Sequence, residues 1–217
     1  MPRLKTIPPE PKPDCSLCPR LVAFRRANKK AYPDYFNGAV ASFGDEQARI
    51  LVIGLAPGLK GANKTGRPFT GDFSGELLFR CLTAMGWSNG QNENRPDDGF
   101  ELHDVMITNA VRCVPPENKP IGAEVNNCRP YLMARLDALP KLKVLFALGK
   151  VAHDTTLRNF GFRLAAYPFA HKAKHLLPNG LTLIDSYHCS RYNVNTGRLT
   201  ETMFMEALME TKIALEN

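Results

Sequence analysis

The sequence lacks any long apolar run. No hydrophobic stretch among its 217 residues approaches the ~18 to 20 residues that a membrane-spanning helix needs. The amino terminus, MPRLKTIPPEPKP, has no apolar segment of the kind found in a secretory leader. We therefore expect a cytoplasmic protein that does not associate with membranes.

The two common glycine-rich nucleotide motifs are also missing. No GxGxxG occurs, and the stretch GANKTG is followed by Arg67 and Pro68 where a phosphate-binding P-loop has Lys and Ser or Thr. We find no internal repeat and no low-complexity tract. These absences argue against a nucleotide-binding protein.

Basic residues are in moderate excess. Lys and Arg number 28 against 21 for Asp and Glu, which gives a formal net charge of +7. This excess favours a polyanionic partner such as nucleic acid, although a charge that only keeps the protein soluble would look the same.

Four short apolar runs alternate with helical patterns. Continuous hydrophobicity is typical of strands buried on both faces of a parallel sheet. The alternation predicts an α/β fold, a three-layer α/β/α sandwich with right-handed crossovers. One domain would cover residues 15–217 after a proline-rich, extended lead-in over 1–14, and residues 88–99 would form a surface insertion. The predicted strands are 50–54, 105–110, 144–148 and 181–186, and helices are expected at 76–85, 127–139, 150–160 and 200–216.

Polar segments follow each predicted strand, and in such sheets the ligand site lies past the carboxyl ends of the strands. The first segment holds six glycines between residues 54 and 75, which let backbone amides approach an anionic ligand. It also contains Arg67, Phe69 and Asp72, which are one cation, one ring and one carboxylate. This combination favours chemistry on a flat, polar group attached to a phosphate backbone.

Six cysteines in a cytosolic chain are not expected to form structural disulfides. Cys15 and Cys18 form a CxxC, and Cys113 and Cys128 follow the second predicted strand. Four thiolates could hold zinc or a four-iron cluster, and spacing alone does not decide between them. Four unrelated thiols remain a third interpretation. Cys81 lies in an apolar helical pattern and is predicted to be a core residue.

Three motifs in order along the chain resemble the uracil-DNA glycosylase superfamily. They are GLAPGLKGANKTGRPFTGDFSG, TNAVRCVPPENKP with the later NNCRPYL, and SYHCSRYNVNTGRLT. The resemblance is greatest to family five, or type B, which is similar to the iron-sulfur enzymes of family four. It implies a four-stranded parallel sheet between helices and hydrolysis of the N-glycosidic bond of a deaminated base in DNA. It also implies a 4Fe-4S cluster on Cys15, Cys18, Cys113 and Cys128.

The resemblance also implies which residues bind the base. Phe69 matches the ring that stacks on the extruded base, and Asn109 matches the amide that reads the base edge. Gly54 and Ala56 belong to the same base-binding set. A core phenylalanine and a loop-capping asparagine are the alternative interpretations of Phe69 and Asn109.

Two residues are implied to be catalytic. His188 matches the histidine beside the base O2, where a donor stabilises the departing anion. Family-four enzymes have an acidic residue directly after the first glycine of the first motif, but Leu55 follows Gly54 here. Asp72 is the leading substitute, to position water or stabilise the oxocarbenium-like sugar. A role for Asp72 as a turn former or helix N-cap remains open.

The predicted DNA-binding residues are Arg67, Ser190, Arg191 and Tyr192. Ser190 would bind phosphate, and Arg191 or Tyr192 would fill the gap left by the flipped nucleotide. Cys189 stands where the family usually has proline, so we expect a looser turn at this position.

The sequence therefore predicts a monomeric DNA repair glycosylase that removes uracil from double-stranded or single-stranded DNA. The resemblance also implies hypoxanthine and xanthine as further substrates, which fits a pocket that lacks the usual water-activating side chain. One alternative is an iron-sulfur protein that binds damaged DNA without cleaving it, which would keep its function without Asp72 and His188. A weaker alternative is an electron-transfer protein, in which Phe69, Asn109 and His188 would have no reason to converge.

Overall fold

The computed structural model describes residues 8–216. Within this part of the chain, no helix is both long and apolar enough to cross a membrane. Two 3-10 turns, Pro116–Asn118 and Leu164–Ala166, join longer elements. The strands and helices follow the order α1 (Pro19–Ala31), β1 (Phe43–Gly44), β2 (Ile50–Gly54), α2 (Ala62–Thr65), α3 (Phe73–Ala84), β3 (Ser88–Asn89), β4 (Glu101–Leu102), β5 (Val105–Asn109), α4 (Gly122–Asp137), β6 (Val144–Leu148), α5 (Lys150–Asn159), β7 (Lys174–Leu176), β8 (Thr182–Ser186), α6 (Arg191–Asn195) and α7 (Glu201–Glu216).

The main sheet has six strands in the order β1-β5-β2-β6-β8-β7. The four central strands are parallel and correspond to the four predicted runs. The edge strands β1 and β7 are antiparallel and were not predicted. They span only two and three residues and are not fully buried, so they carry no continuous apolar run.

Each central strand is buried on both faces because helices cover both sides of the sheet. Ile50 and Val52 of β2 pack in one core with α3 and α7. The alternate residues Leu51 and Ile53 point the other way, into a second core with α4 and α5. This period of two, with apolar residues on both faces, explains why the strand reads as an unbroken hydrophobic run. The predicted α/β/α sandwich is confirmed.

Two helices begin earlier than predicted. Helix α3 starts at Phe73, because the carboxylate of Asp72 accepts a hydrogen bond from the backbone N–H of Gly75 and caps the first turn. Helix α4 starts at Gly122, where Glu124 accepts a hydrogen bond from the backbone N–H of Ile121. The apolar periodicity becomes visible only after these first turns.

The proline-rich lead-in contacts the body of the protein. Its first seven residues lie outside the described part of the chain. Glu10 pairs with the buried guanidinium groups of Arg112 and Arg135, with N–O distances of 2.8 and 2.6 Å. Pro13 accepts a hydrogen bond from the N–H of Ala39. The segment from residue 8 is thus anchored although it forms neither helix nor strand, and the domain boundary after residue 14 stays a prediction.

Candidate active site and cysteine cluster

A cavity of about 340 Å³ opens beyond the carboxyl ends of β2 and β5. The chain runs from β2 to β5 on one side and then to β6 on the other side of β2, so β2 lies where the strand order reverses. Ligands of open α/β sheets bind at this kind of position. The residues that line the cavity are Leu55, Ala56, Pro57, Gly58, Ala62, Phe69, Asp72, Ser74, Asn109, Asn118, His188 and Ser190.

Asn109 and Phe69 meet at the last residue of β2. Gly54 and Asn109 are paired in the sheet register, so the amide follows the strand end directly. A Cβ added to Gly54 would lie 2.4 Å from Oδ1 of Asn109 and 2.8 Å from Cζ of Phe69. Only glycine allows this close approach, because any side chain would displace the amide or the ring.

Arg67 holds the loop that carries Phe69, and its side chain is buried. Only 5% of its surface is exposed. Its Nη1 and Nη2 donate to the two carboxylate oxygens of Asp98 at 2.7 and 2.8 Å, and its Nε donates to Oγ1 of Thr70 at 2.8 Å. The guanidinium carbon also lies 4.9 Å from the ring centroid of Phe43. Internal partners use the donors of Arg67, and its predicted contact with DNA stays a prediction.

The pKa of Asp98 lies well below its usual range, and the main cause is the hydrogen bonds from the guanidinium of Arg67. Phe69 itself has a φ of 53°, in the left-handed region that side chains rarely adopt. Such a conformation persists where surrounding contacts fix it. The Arg67–Asp98 ion pair provides such a contact, and it also shows that residues 88–99 are more than a surface insertion.

Asp72 lies in the cavity wall and also caps a helix. Its Oδ1 accepts the N–H of Gly75 at 3.1 Å. Its Oδ2 packs against the glycine-rich loop, because a Cβ on Gly61 would lie 2.1 Å from it. The cap uses Oδ1, which leaves Oδ2 without this hydrogen bond, and the capping role is confirmed.

His188 follows β8 and faces Phe69 across the cavity, with ring centroids 6.2 Å apart and planes inclined by 25°. Burial lowers the pKa of His188 below its usual value of 6.5, and the nearby Asp72 carboxylate opposes that shift. The imidazole is therefore neutral at pH 7. Asn193 donates through Nδ2 to the carbonyl of His188 at 2.8 Å, which fixes the backbone at this position.

Cys189 is fully buried, and its thiol donates to the carbonyl of Ser74 at 3.4 Å. This contact ties the turn at Cys189 to the start of α3. Position 189 is the one at which the family usually has proline. The hydroxyl of Ser190 lines the cavity and accepts the N–H of Asn193. Arg191 lies 5.4 Å from the ring centroid of Phe73, and Tyr192 is 72% exposed. Neither side chain lines the cavity, although both directly follow Ser190 in sequence.

The structure adds Asn118 and Ser74 to the cavity wall, which the sequence did not predict. Ser74 lies in the first turn of α3. Asn118 has a φ of 56° and follows Glu117, whose φ is 54°. No strand or periodic pattern precedes Asn118, so only the conformation of this loop brings it to the cavity.

The four predicted cysteine ligands lie together, and none of them lines the cavity. Cys18, Cys113 and Cys128 are buried in a small core of their own, and Cys15 packs against it. Cys18 precedes Pro19, the first residue of α1, while Cys128 lies within α4. The group therefore joins α1, the loop after β5 and α4.

Polar donors surround the sulfurs. Nη1 of Arg25 lies 3.5 Å from Sγ of Cys113, the backbone N–H of Arg112 donates to Sγ of Cys128 at 3.5 Å, and Nδ2 of Asn127 lies 3.6 Å from Sγ of Cys18. Burial raises the pKa of Cys113 to about 12 and that of Cys128 to about 11. Thiolates in this environment require a bound cation to stabilise them.

Residues 41–212 match the family model of the uracil DNA glycosylase superfamily. The chain is 48% identical over 203 residues to the type-5 uracil-DNA glycosylase of Thermus thermophilus, covering 91% of this chain and 92% of that protein. It is 40% identical over 199 residues to the type-5 uracil-DNA glycosylase of Pyrobaculum aerophilum, covering 90% and 86%.

The fold is similar to the crystal structure of wild-type SMUG2 from Pedobacter heparinus, with a TM-score of 0.50 and 15% identity over 87% of this chain and 82% of that one. At this identity the likeness concerns the fold. The sequence relatives are much more similar and span almost the whole chain. The chain therefore belongs to the uracil DNA glycosylase superfamily, among the type-5 uracil-DNA glycosylases.

Proposed function

We propose that this protein acts as a monomer on DNA, flips a uracil nucleotide into the cavity and hydrolyses its N-glycosidic bond to leave an abasic site. One observation carries this proposal. Phe69, Asn109 and His188, which come from three separate segments, converge with Asp72 on one cavity at the carboxyl ends of the strands. An extruded base requires a stacking surface, a group that reads its edge and a group that stabilises its charge.

Base recognition follows from the contacts around Gly54. The ring of Phe69 provides a face for stacking, which contributes about 1 to 3 kcal/mol per base. The amide of Asn109 offers both a donor and an acceptor, which suits the O4 and N3–H of uracil. Both groups touch the position where a side chain on Gly54 would be, so their placement is fixed before the base arrives.

Bond cleavage uses the opposite side of the cavity. As the bond between C1′ and N1 breaks, its electron pair moves onto the uracil ring, and the neutral His188 donates a hydrogen bond to the developing charge on O2. Water attacks C1′, and Asp72 orients this water and accepts its proton. Because Oδ1 of Asp72 remains bound to the N–H of Gly75, Oδ2 is the oxygen that acts on the water.

The loop after His188 would enter the DNA duplex. Tyr192 is 72% exposed and lies two residues after Ser190, which lines the cavity, so it is suited to fill the space of the flipped nucleotide. Ser190 and Arg191 offer a hydroxyl and a cation to neighbouring phosphates.

Replacing Asp72 by Asn separates the chemical role from the capping role. Asparagine caps helices about as well as aspartate does, so we expect the melting temperature of Asp72→Asn to stay close to that of the wild type. The rate of uracil excision should fall by about 10²-fold, at the low end for loss of a general base. The assay uses a labelled duplex with one deoxyuridine, followed by alkali and a denaturing gel.

Asp72→Ala serves as the matched variant, because it removes the cap as well and should lose about 1 kcal/mol of stability. Wild-type rates in Asp72→Asn would contradict the assigned role. A wild-type protein that binds the duplex and never creates an abasic site would leave the binding module as the function.

We further propose that Cys15, Cys18, Cys113 and Cys128 hold a 4Fe-4S cluster. A single zinc ion places its sulfur ligands about 3.8 Å apart, from Zn–S bonds of about 2.3 Å. In the described part of the chain, no three of these sulfurs lie within 4.8 Å of one another, which suits a wider metal cluster. An anionic cluster is typically surrounded by N–H groups that point at its sulfurs and by a nearby cation. Here backbone and amide N–H groups point at the cysteine sulfurs, and Arg25 provides the cation.

The cluster would supply metal-sulfur bonds that tie α1 to α4 and to the loop after β5. Cys113→Ser should therefore lose iron and lower the melting temperature, because it removes one bond of this link. Cys81→Ser is the matched control, since Cys81 is also buried but lies in α3. We expect the control to keep about four irons per chain, as the wild type does. Equal iron in both variants would refute the ligand assignment.

The substrate range is a separate part of the proposal. Family-four enzymes carry an acidic side chain after the first glycine of this motif, whereas Leu55 occupies that position here and lines the cavity. A site that depends mainly on stabilising the leaving base should accept other deaminated bases, so we expect hypoxanthine and xanthine to be excised as well. Single-turnover rates on matched duplexes with each base measure this range, and activity on uracil alone would exclude it.

A further inference from the structure

A second group of ligand-type side chains lies on the α4/α5 face of the sheet. His153 of α5, His175 of β7 and Asp185 of β8 each place one nitrogen or oxygen within 4.8 Å of the others. Asp185 and His153 are almost completely buried, and His175 is 12% exposed. None of the three lines the base cavity. The proposed glycosylase mechanism therefore leaves this group without a role.

The hydrogen bonds of His153 require a cation between its ring and Asp185. Its Nε2 lies 2.9 Å from the carbonyl oxygen of Tyr167, which can only accept, so Nε2 carries a hydrogen. Its Nδ1 lies 2.8 Å from Oδ1 of Asp185, another acceptor. In the neutral ring, Nδ1 would present a lone pair to a carboxylate. Either a proton is shared by these two atoms, or a metal ion beside them binds both.

Two further atoms favour a metal ion over a single proton on His153. Nε2 of His175 and Oδ2 of Asp185 are buried, lie 3.4 Å apart and have no hydrogen-bond partner in the described part of the protein. A proton on Nδ1 of His153 would satisfy only that nitrogen and Oδ1. One divalent ion would use the lone pairs of both histidines and the carboxylate together.

We propose that His153, His175 and Asp185 bind a divalent transition metal ion of the zinc type. Imidazole and carboxylate are common ligands of catalytic and structural zinc, with bonds of about 2.0 to 2.2 Å. Such bonds place tetrahedral ligand atoms about 3.4 Å apart, as Nε2 of His175 and Oδ2 of Asp185 are. Nδ1 of His153 and Oδ1 of Asp185, at 2.8 Å, are closer and would separate by about half an ångström when the ion binds.

The surroundings of His153 fit this role. Metal-binding histidines usually donate their other ring N–H to a backbone carbonyl or carboxylate, as His153 does to Tyr167. The partly exposed edge at His175 gives the ion a route from solvent and leaves room for a water as the fourth ligand. The ion would connect α5, β8 and the short edge strand β7.

The test uses the iron-loaded protein after dialysis against a chelator and measures bound zinc, the melting temperature and zinc X-ray absorption. We expect one Zn²⁺ per chain, a higher melting temperature with zinc, and a shell of N and O ligands without the sulfur shell at about 2.3 Å that cysteines would give. His175→Ala removes a ligand at the exposed edge and should weaken zinc binding more than the ~10- to 100-fold that loss of an outer partner costs.

Asp154→Asn is the matched control, because Asp154 lies next to His153 in α5 and pairs only with Lys150 among the described residues. It should bind zinc as the wild type does. The proposal is overturned if zinc leaves the wild-type melting temperature unchanged, if sulfur appears in the zinc shell, or if His175→Ala binds zinc normally. Two N–H protons on His153 in a zinc-treated sample would identify the proton as the bridging cation instead.

Discussion

His188→Ala should slow uracil excision by about 10²- to 10³-fold, the usual loss when one preorganised donor to a developing anion is removed. His188 and Phe69 face each other across the cavity, and the turn that carries His188 is fixed by Asn193. Burial lowers the pKa of His188, so the proposed hydrogen-bond donor is uncharged at neutral pH. Single-turnover kinetics on a duplex with one deoxyuridine measure the effect.

The control for this prediction is the affinity of the variant for uncleaved DNA. Because the donor acts mainly on the charge that develops in the transition state, His188→Ala should bind a duplex with a non-hydrolysable 2′-fluoro-deoxyuridine nearly as tightly as the wild type. Anisotropy titration gives that affinity. Equal losses in affinity and rate would show that His188 binds the ground state, and an unchanged rate would remove it from the mechanism.

Asp98→Ala should reduce the free energy of unfolding by about 3 kcal/mol, because it leaves the guanidinium of Arg67 buried without its carboxylate. The side chains of Arg67 and Asp98 are 5% and 0% exposed. We expect the low end of the range for broken buried pairs, since Thr70, Asn92 and the ring of Phe43 still contact the guanidinium. For a chain of this size, the melting temperature should fall by about 6 to 12 °C.

Glu201→Gln is the matched control for this loss. Arg80 and Glu201 form an ion pair of similar geometry at the surface, with side chains 58% and 51% exposed. Exposed pairs contribute about 0 to 1 kcal/mol, so this variant should melt within a few degrees of the wild type. Asp98→Ala should also excise uracil more slowly at temperatures where it is folded, because Phe69 loses its support. A stable Asp98→Ala variant would mean that the remaining contacts of Arg67 with Thr70, Asn92 and Phe43 hold the loop.

The four central strands and the covering helices could be predicted from the sequence because their signals are local. An unbroken apolar run such as Ile50–Gly54 identifies a strand covered on both faces. The polar residues after it identify the edge of the sheet at which the ligand site lies. The motif containing Phe69 and Asp72 lies within one continuous stretch. Its similarity to known glycosylases could therefore be recognised without coordinates.

Contacts between distant segments could not be predicted in this way. Arg67 looks the same in sequence whether it faces phosphate or Asp98, and the choice depends on where residues 88–99 fold. The same holds for Asn118, which reaches the cavity through two consecutive left-handed residues in an irregular loop.

The sequence by itself determined the fold class, the edge of the sheet that carries the site, and the family. Tertiary structure decided that Arg67 is buried, that Asp72 divides its two oxygens between a helix cap and the cavity, and that His153, His175 and Asp185 meet. The physical reason is that hydrophobic periodicity and backbone propensity depend on residues that are close together in sequence. The partner of a buried charge is set only when separate segments pack together.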